Sequence, residues 1–405
     1  MCTPASPPIE MDGEAANKRR RLEPKPHSAS LDFISSLPDD MLLVIIGLLP
    51  TKSAVSTTLL SRRWRPLWRR VTLNLIIDSC LCDGDCKRMA AVSKILSSHP
   101  RPVRLLDIRM SSTNYKVQPK FDEWFLSPAL DQLEVISFEA GRCCSLPLSV
   151  LRLMPTLHRA SFSSYYLPQI NAAPTLLLPQ LKQLDLFDVV ISKKSMEHLL
   201  RSCTALERLE QIHRFISLHI ASMNLRWIYV PCWPRNKTSI GKRSLQLFHV
   251  MVIENAPFLE RLLVSDVEGP TKIRVIDAPK LTGLVRLSAK FFELFIGSVI
   301  VQIKKDLKVK NVQHYNNIIE CLDLHLTEID FIDYRGSTSE IKLVRFFVLE
   351  ASVLKVTRFG ILWRNNEWCA DHRKRLSLND KVSTEAEFVF ETSSGQRLEN
   401  LFSHW

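Results

Sequence analysis

The chain has 405 residues, 46% of them apolar, so it can bury a sizeable core and is not disordered throughout. Its 54 Lys and Arg against 42 Asp and Glu leave a net charge of +12, which is spread along the chain except for one tight run, Lys18-Arg19-Arg20-Arg21. The 11 glycines lie no closer together than 14 residues, which excludes a Walker loop, a dinucleotide fingerprint and a G-x-S-x-G elbow, all of which need clustered glycines.

Residues 1–30 are polar and Pro-rich without an apolar period and read as a disordered basic arm. Lys18, Arg19, Arg20 and Arg21 form a candidate nuclear import signal, with a solvated charged arm as the plain alternative. No secretory signal is visible. The longest apolar run, Met41 to Leu49, has nine residues, about half of a membrane span. The ten scattered cysteines read as reduced thiols. A soluble chain of the nucleus, the cytoplasm or both is expected.

Leu31 to Asn74 holds three helix signals. Pro38 suits a first helical turn, and Asp39 and Asp40 suit the positive end of the helix dipole. Leu42, Ile45, Ile46 and Leu49 follow at helical spacing, and Pro50 ends the run. Thr51 is expected to cap a second helix bearing Val55, Leu59 and Leu60. Ser61 is expected to cap a third, with Trp64, Leu67 and Trp68 on one side and five arginines elsewhere. So short a unit buries little surface alone, and its spare apolar face implies a partner or the rest of the chain.

Leu37-Pro38-Asp39-Asp40, Ile45-Ile46, Leu49-Pro50-Thr51-Lys52 and Leu60-Ser61-Arg62-Arg63-Trp64 resemble the F-box of plant F-box proteins. The resemblance implies docking onto the small Skp-type adaptor of a cullin ubiquitin ligase. The implied contact residues are Leu37, Pro38, Leu42, Ile45, Leu49, Val55, Leu59 and Trp64. Just beyond, Cys80, Cys82 and Cys86 lack the C-x2-C pairing usual for zinc and read as thiols of a connector loop.

From about residue 100 an L-x-x-L-x-[L/V] pattern recurs. It begins at Leu130, Met154, Leu178, Cys203, Leu225, Ala256 and Ala278. The spacing overlaps that of leucine-rich repeats. On a strand, residues two apart share a face, so Leu184 and Leu186 are expected inside and Asp185 outside. Ser195 to Cys203 reads as a helix burying Met196, Leu199 and Leu200. Val189 stands where many repeats place an Asn, so an irregular stack is expected. Further on, Cys321 to Leu326 reads as a strand, Thr327 to Gly336 as a second, Ile341 to Glu350 as a helix and Ser352 to Phe359 as a returning strand. The Tyr334-Arg335-Gly336 turn and the order Leu343-Val-Arg-Phe-Phe to Leu354-Lys-Val resemble the FBD segment of plant F-box proteins.

Asp323, His325, Glu328 and Asp330 alternate along these strand-like runs and read as a solvent face rather than a hydrolytic site. No nucleophile motif, cofactor site or metal site is read from the sequence, and the chain is not expected to be an enzyme. The expected class is α/β: a small three-helix F-box module followed by an irregular leucine-rich-repeat solenoid. The expected divisions are a disordered arm at 1–30, an F-box at 31–76, repeats at 77–310, an FBD-like segment at 311–395 and a tail at 396–405. The expected role is substrate receptor of a Skp–cullin–F-box ubiquitin ligase, with the adaptor, the cullin behind it and a protein substrate as partners and no membrane. A basic nucleic-acid-binding repeat protein is the alternative, motivated by the arginine-rich third helix and its tryptophans.

Overall fold

A computed structural model describes residues 33–392, apart from 79–80, 82–83, 110–117, 167–176, 188, 190, 211–216, 231–249, 265–271, 288–292, 297–298, 303–308, 312–320 and 362–364. The basic arm, the Lys18–Arg21 run, Cys80, Cys82 and the tail lie outside the described residues.

The chain opens with α1 (Asp39–Leu48), α2 (Thr51–Ser56), a 3-10 turn (Thr57–Leu59) and α3 (Trp64–Trp68). The caps differ from expectation. Pro38 and Pro50 precede the first two helices, and Thr51 is the first helical residue, with its hydroxyl turned toward the next strand instead of its own helix. The Ser61 hydroxyl accepts from the Arg63 N–H at 3.3 Å, just ahead of α3.

A long run of strands follows. In chain order these are β1 (Leu73–Ile77), α4 (Asp85–Ser98), β2 (Val103–Arg109), α5 (Gln118–Phe125), β3 (Val135–Ser145), β4 (Arg159–Tyr166), β5 (Gln183–Phe187), α6 (Lys193–Ser202) and β6 (Arg208–Glu210). Next come β7 (Ser217–Ala221), β8 (Trp227–Val230), β9 (Val250–Glu254), β10 (Arg261–Val264), β11 (Lys272–Val275), β12 (Gly283–Leu287), β13 (Glu293–Ile296), β14 (Val299–Gln302) and β15 (Val309–Asn311). The chain continues with β16 (Glu328–Tyr334), α7 (Thr338–Glu350), β17 (Val356–Ile361), α8 (Asn366–Arg375) and β18 (Glu387–Thr392).

Twelve strands form one sheet, ordered β1-β2-β3-β4-β5-β6-β8-β10-β12-β16-β17-β18, and every neighbouring pair is parallel. Its register aligns Leu75, Leu106, Ile136, Ala160, Leu184, Leu209, Ile228, Leu262, Leu284, Ile329, Thr357 and Phe388 in a single buried row. Each strand alone would leave its inward residue wet. Neighbours on both sides close the row.

The turns before the strands add a second buried layer. Leu130 and Leu133, Leu178 and Leu181, Ala256 and Leu259, and Ala278 and Leu281 are all buried. The same spacing continues at Ala351 and Leu354, so the FBD-like segment extends the sheet rather than starting a new core. A backbone ladder joins these turns, from Glu134 N–H to Arg104 C=O, on through His158, Lys182, Glu207, Arg226, Glu260, Thr282 and Thr327, to Lys355. Three of its neighbours are ion pairs: Arg104–Glu134 at 3.6 Å, Lys182–Glu207 at 3.5 Å and Arg226–Glu260 at 3.4 Å.

What covers the leucine rows changes along the chain. Residues of α4, α5 and α6 cover the first part, with Met196, Leu199 and Leu200 of α6 buried as expected. From β7 onward the chain alternates between sheets. β7, β9, β11 and β13 form a second parallel sheet, completed by β14 and β15 in antiparallel pairing. At the far end α7 resumes helical cover, burying Ile341, Val344, Phe347 and Val348.

One predicted strand is a helix instead. Cys321–His325 forms a turn of π-helix. A strand would put Leu322, Leu324 and Leu326 on one face, whereas here Leu322 and Leu326 are buried and Leu324 is exposed. Asp323 and His325 therefore do not share a strand face with Glu328 and Asp330. Those two carboxylates, on β16, both accept from the Arg358 guanidinium, at 3.0 Å for Asp330. The Tyr334-Arg335-Gly336 turn also has a physical reason. Gly336 sits at φ +73°, and a Cβ there would lie 1.9 Å from the His372 ring.

Candidate docking surface and receptor face

Helix α1 is apolar on two sides. Leu42 and Ile46 point into a small core with Ala54, Trp64, Leu67 and Val71. Met41, Val44, Ile45 and Leu48 are exposed at 56%, 60%, 38% and 75%. Their i, i+3, i+4, i+7 spacing places them on one stripe. Val55, Leu59 (82% exposed) and Leu60 extend the uncovered surface across the second helix and its 3-10 turn. Phe33 and Ile34 are exposed just before α1.

The expected contact residues divide accordingly. Pro38, Ile45, Val55 and Leu59 are exposed, and Leu37 and Leu49 are half-buried. Leu42 and Trp64 are buried in the module's own core, so they shape the surface rather than form it. Met41, Val44, Leu48 and Leu60 are exposed on the same surface and are not among the expected contact residues. Helical spacing from Met41 was the signal available for the first three.

Arg63 holds this module together. Its guanidinium pairs with Asp39 at 2.8 Å and donates to the Ser35 carbonyl at 2.7 Å and to the Leu37 carbonyl. It thus fixes the entry of α1 against the start of α3.

The face of the long sheet opposite the leucine rows is polar and half-buried. One register row runs Arg159, Gln183, Arg208, Trp227, Arg261. The guanidinium carbons of Arg208 and Arg261 each lie 5.1 Å from the Trp227 ring centre. Arg261 also reaches Glu328 at 3.4 Å. The next row places Ser161, Asp185 and Glu210 side by side.

Asp185 is therefore not the solvent-exposed residue that strand alternation suggests. Its Oδ1 is buried and has no hydrogen-bond partner among the described residues, and Gln183 Nε2 lies 3.5 Å from Oδ2. Burial, and then the neighbouring Glu210 charge, push its carboxyl up to about 7. Burial also raises Glu210 and Asp330 above the usual carboxylate range.

A helical module with a surplus apolar face, ahead of a parallel sheet with recurring leucines, is the arrangement expected of an F-box protein with leucine-rich repeats. Comparison with known proteins agrees. The F-box domain matches residues 34–75, the leucine-rich repeats of FBD-associated F-box protein At5g56370 match residues 121–327, and FBD matches residues 313–359. Putative F-box/FBD/LRR-repeat protein At5g52460 of Arabidopsis thaliana is 29% identical over 349 residues, covering 81% of this chain and 88% of that one. F-box/FBD/LRR-repeat protein At3g26920 of the same plant is 28% identical over 316 residues, covering 75% and 69%. F-box/FBD/LRR-repeat protein At5g56420, also from Arabidopsis thaliana, is 32% identical over 184 residues, covering 44% and 43%. The repeat match alone spans half of the chain, and the chain belongs to the F-box/FBD/LRR-repeat family. F-box domains generally bind Skp1-type adaptors, and this architecture is typical of non-catalytic adaptor proteins.

Proposed function

We propose that this chain is the substrate-recognition subunit of a Skp–cullin–F-box ubiquitin ligase. The F-box docks a Skp-type adaptor, the cullin follows through that adaptor, and the sheet of repeats with the FBD segment holds a protein substrate. The chain itself performs no chemistry. It raises the local concentration of substrate near a charged conjugating enzyme. The stacked parallel strands support reading the repeats as an irregular solenoid that offers its polar face to the substrate.

The observation that carries the proposal is the exposed stripe Met41, Val44, Ile45 and Leu48 on a helix whose other side is already buried. A large contiguous apolar surface marks an interaction site. The rival nucleic-acid reading is weakened by the same module. Trp64 is buried and so is not presented for stacking, and Arg63 is engaged by Asp39.

Titration calorimetry of the full chain with a purified Skp-type adaptor tests the proposal. One-to-one binding is expected, lost in Met41→Ser with Leu48→Ser while the melting transition stays in place. Binding unaffected by that pair of changes, or salt-sensitive binding of generic DNA in its stead, sinks the proposal.

A further inference from the structure

The F-box core and the large core meet at one shared apolar residue among the described ones, Trp68, which is packed against both. So narrow an apolar contact would leave a hinge. The rest of the junction is polar and specific. Among the described residues β1 is the outermost strand of the twelve-stranded sheet, so its outer edge offers backbone groups that no neighbouring strand pairs. The buried Thr51 hydroxyl satisfies two of them, donating to the Asn74 C=O at 2.9 Å and accepting from the Ile76 N–H at 2.7 Å.

Asn74 bonds in both directions. Its amide donates to the Gly47 C=O in α1, and its side-chain oxygen accepts from Arg104 of β2 at 3.1 Å. Arg104 continues to Glu134 at 3.6 Å, beside the start of β3. On the other flank, His99 Nε2 lies 3.1 Å from the Trp68 carbonyl and Nδ1 lies 3.3 Å from the Arg101 N–H. A carbonyl can only accept, so Nε2 donates to Trp68, while Nδ1 also lies 3.2 Å from the Arg101 carbonyl. The His99 ring also meets Trp68 edge-on, with centroids 5.1 Å apart.

We propose that Thr51, Asn74 and His99 lock the F-box to the end of the repeat sheet as one rigid body, so that the adaptor surface and the receptor face keep a fixed orientation. Resting on the receptor reading above, this fixed orientation is what places a bound substrate for ubiquitin transfer. The three are positioning residues, and none touches a substrate.

Electron–electron distance measurements on the full chain test the lock without any ligand. Spin labels on non-canonical residues at Arg62 and Thr204, both exposed, report the relation of the module to the sheet. The otherwise unchanged chain should give one narrow distance distribution, and Thr51→Val with Asn74→Ala should broaden it at least twofold. Thr51→Ser keeps the hydroxyl and should stay narrow. If the double variant loses its cooperative melting transition, Asn74→Ala alone carries the same comparison. A broad distribution in the parent chain, or an equally narrow one in the variant, overturns the lock.

A second arm adds a Skp-type adaptor, cullin, activating and conjugating enzymes, and maps ubiquitin on the chain's own lysines. The double variant should be modified several-fold more slowly and over a wider set of lysines, with adaptor affinity unchanged. An unchanged rate and pattern overturns the positioning role. Failure of the parent chain to bind the adaptor would instead count against the receptor reading, leaving the lock to be decided by the distances.

Discussion

Helix α1 and strand β5 are both rich in apolar residues, but they dispose of them differently. Leu184 and Leu186 of β5 are both buried, with β4 beside both of them and β6 beside Leu184. On α1 only Leu42 and Ile46 are fully buried, while Met41, Val44, Ile45 and Leu48 are exposed. The repeats satisfy themselves. The F-box cannot, because its few short helices make a core with room for one side of α1. The contrast separates residues that the fold covers from residues that it leaves open.

The comparison breaks first at its largest expected effect. Leu184→Ala should cost roughly 2–5 kcal/mol of stability, as core leucine truncations do, measured by chemical denaturation, with adaptor affinity unaltered. The reverse is expected on α1. Leu48→Ala and Leu59→Ala should each weaken adaptor binding by about 2 kcal/mol, as interface anchors do, while stability moves by less than about 0.5 kcal/mol. Equal stability costs for Leu184 and Leu48 would erase the distinction between the two regions.

Two smaller effects sharpen it within the sheet. Asp185 carries a folded-state carboxyl raised from 3.8 to about 7, so the folded chain holds that proton more tightly than the unfolded chain. Its contribution to stability is full below pH about 4 and is lost as pH rises through about 7. Asp185→Asn should therefore stabilise the protein at pH 8 by on the order of 1–2 kcal/mol, after discounting for partial exposure, and hardly at all at pH 4. Thermal melts across that range read the difference. Thr357 interrupts the leucine row, and its buried hydroxyl has no partner among the described residues. Thr357→Val keeps the shape and should add about 1 kcal/mol.

Much of this was legible in the sequence. Period-two leucines after an L-x-x-L turn locate the strands of the long sheet, and the Leu-Ser-Arg-Arg-Trp run locates the F-box. The second sheet carries its own alternation, Leu218 and Ile220, Met251 and Ile253, Ile273 and Val275, all buried. Those strands lack the L-x-x-L turn, so a reading keyed to that motif passes over them. The setting of Asp185 is not legible locally, because Ser161 and Glu210, which flank it, come from distant turns of the chain. Nor does helical spacing alone say which side of α1 turns inward. Trp64 and Leu67 decide that by filling the space beneath Leu42 and Ile46.

Hydrogen–deuterium exchange of the full chain, with and without a Skp-type adaptor, tests the central claim most directly. Adaptor binding should slow exchange across residues 41–48 and 57–60 and leave residues 183–187 of the repeat sheet unchanged. Slowing confined to the sheet, with the α1 stripe exchanging as before, would contradict it.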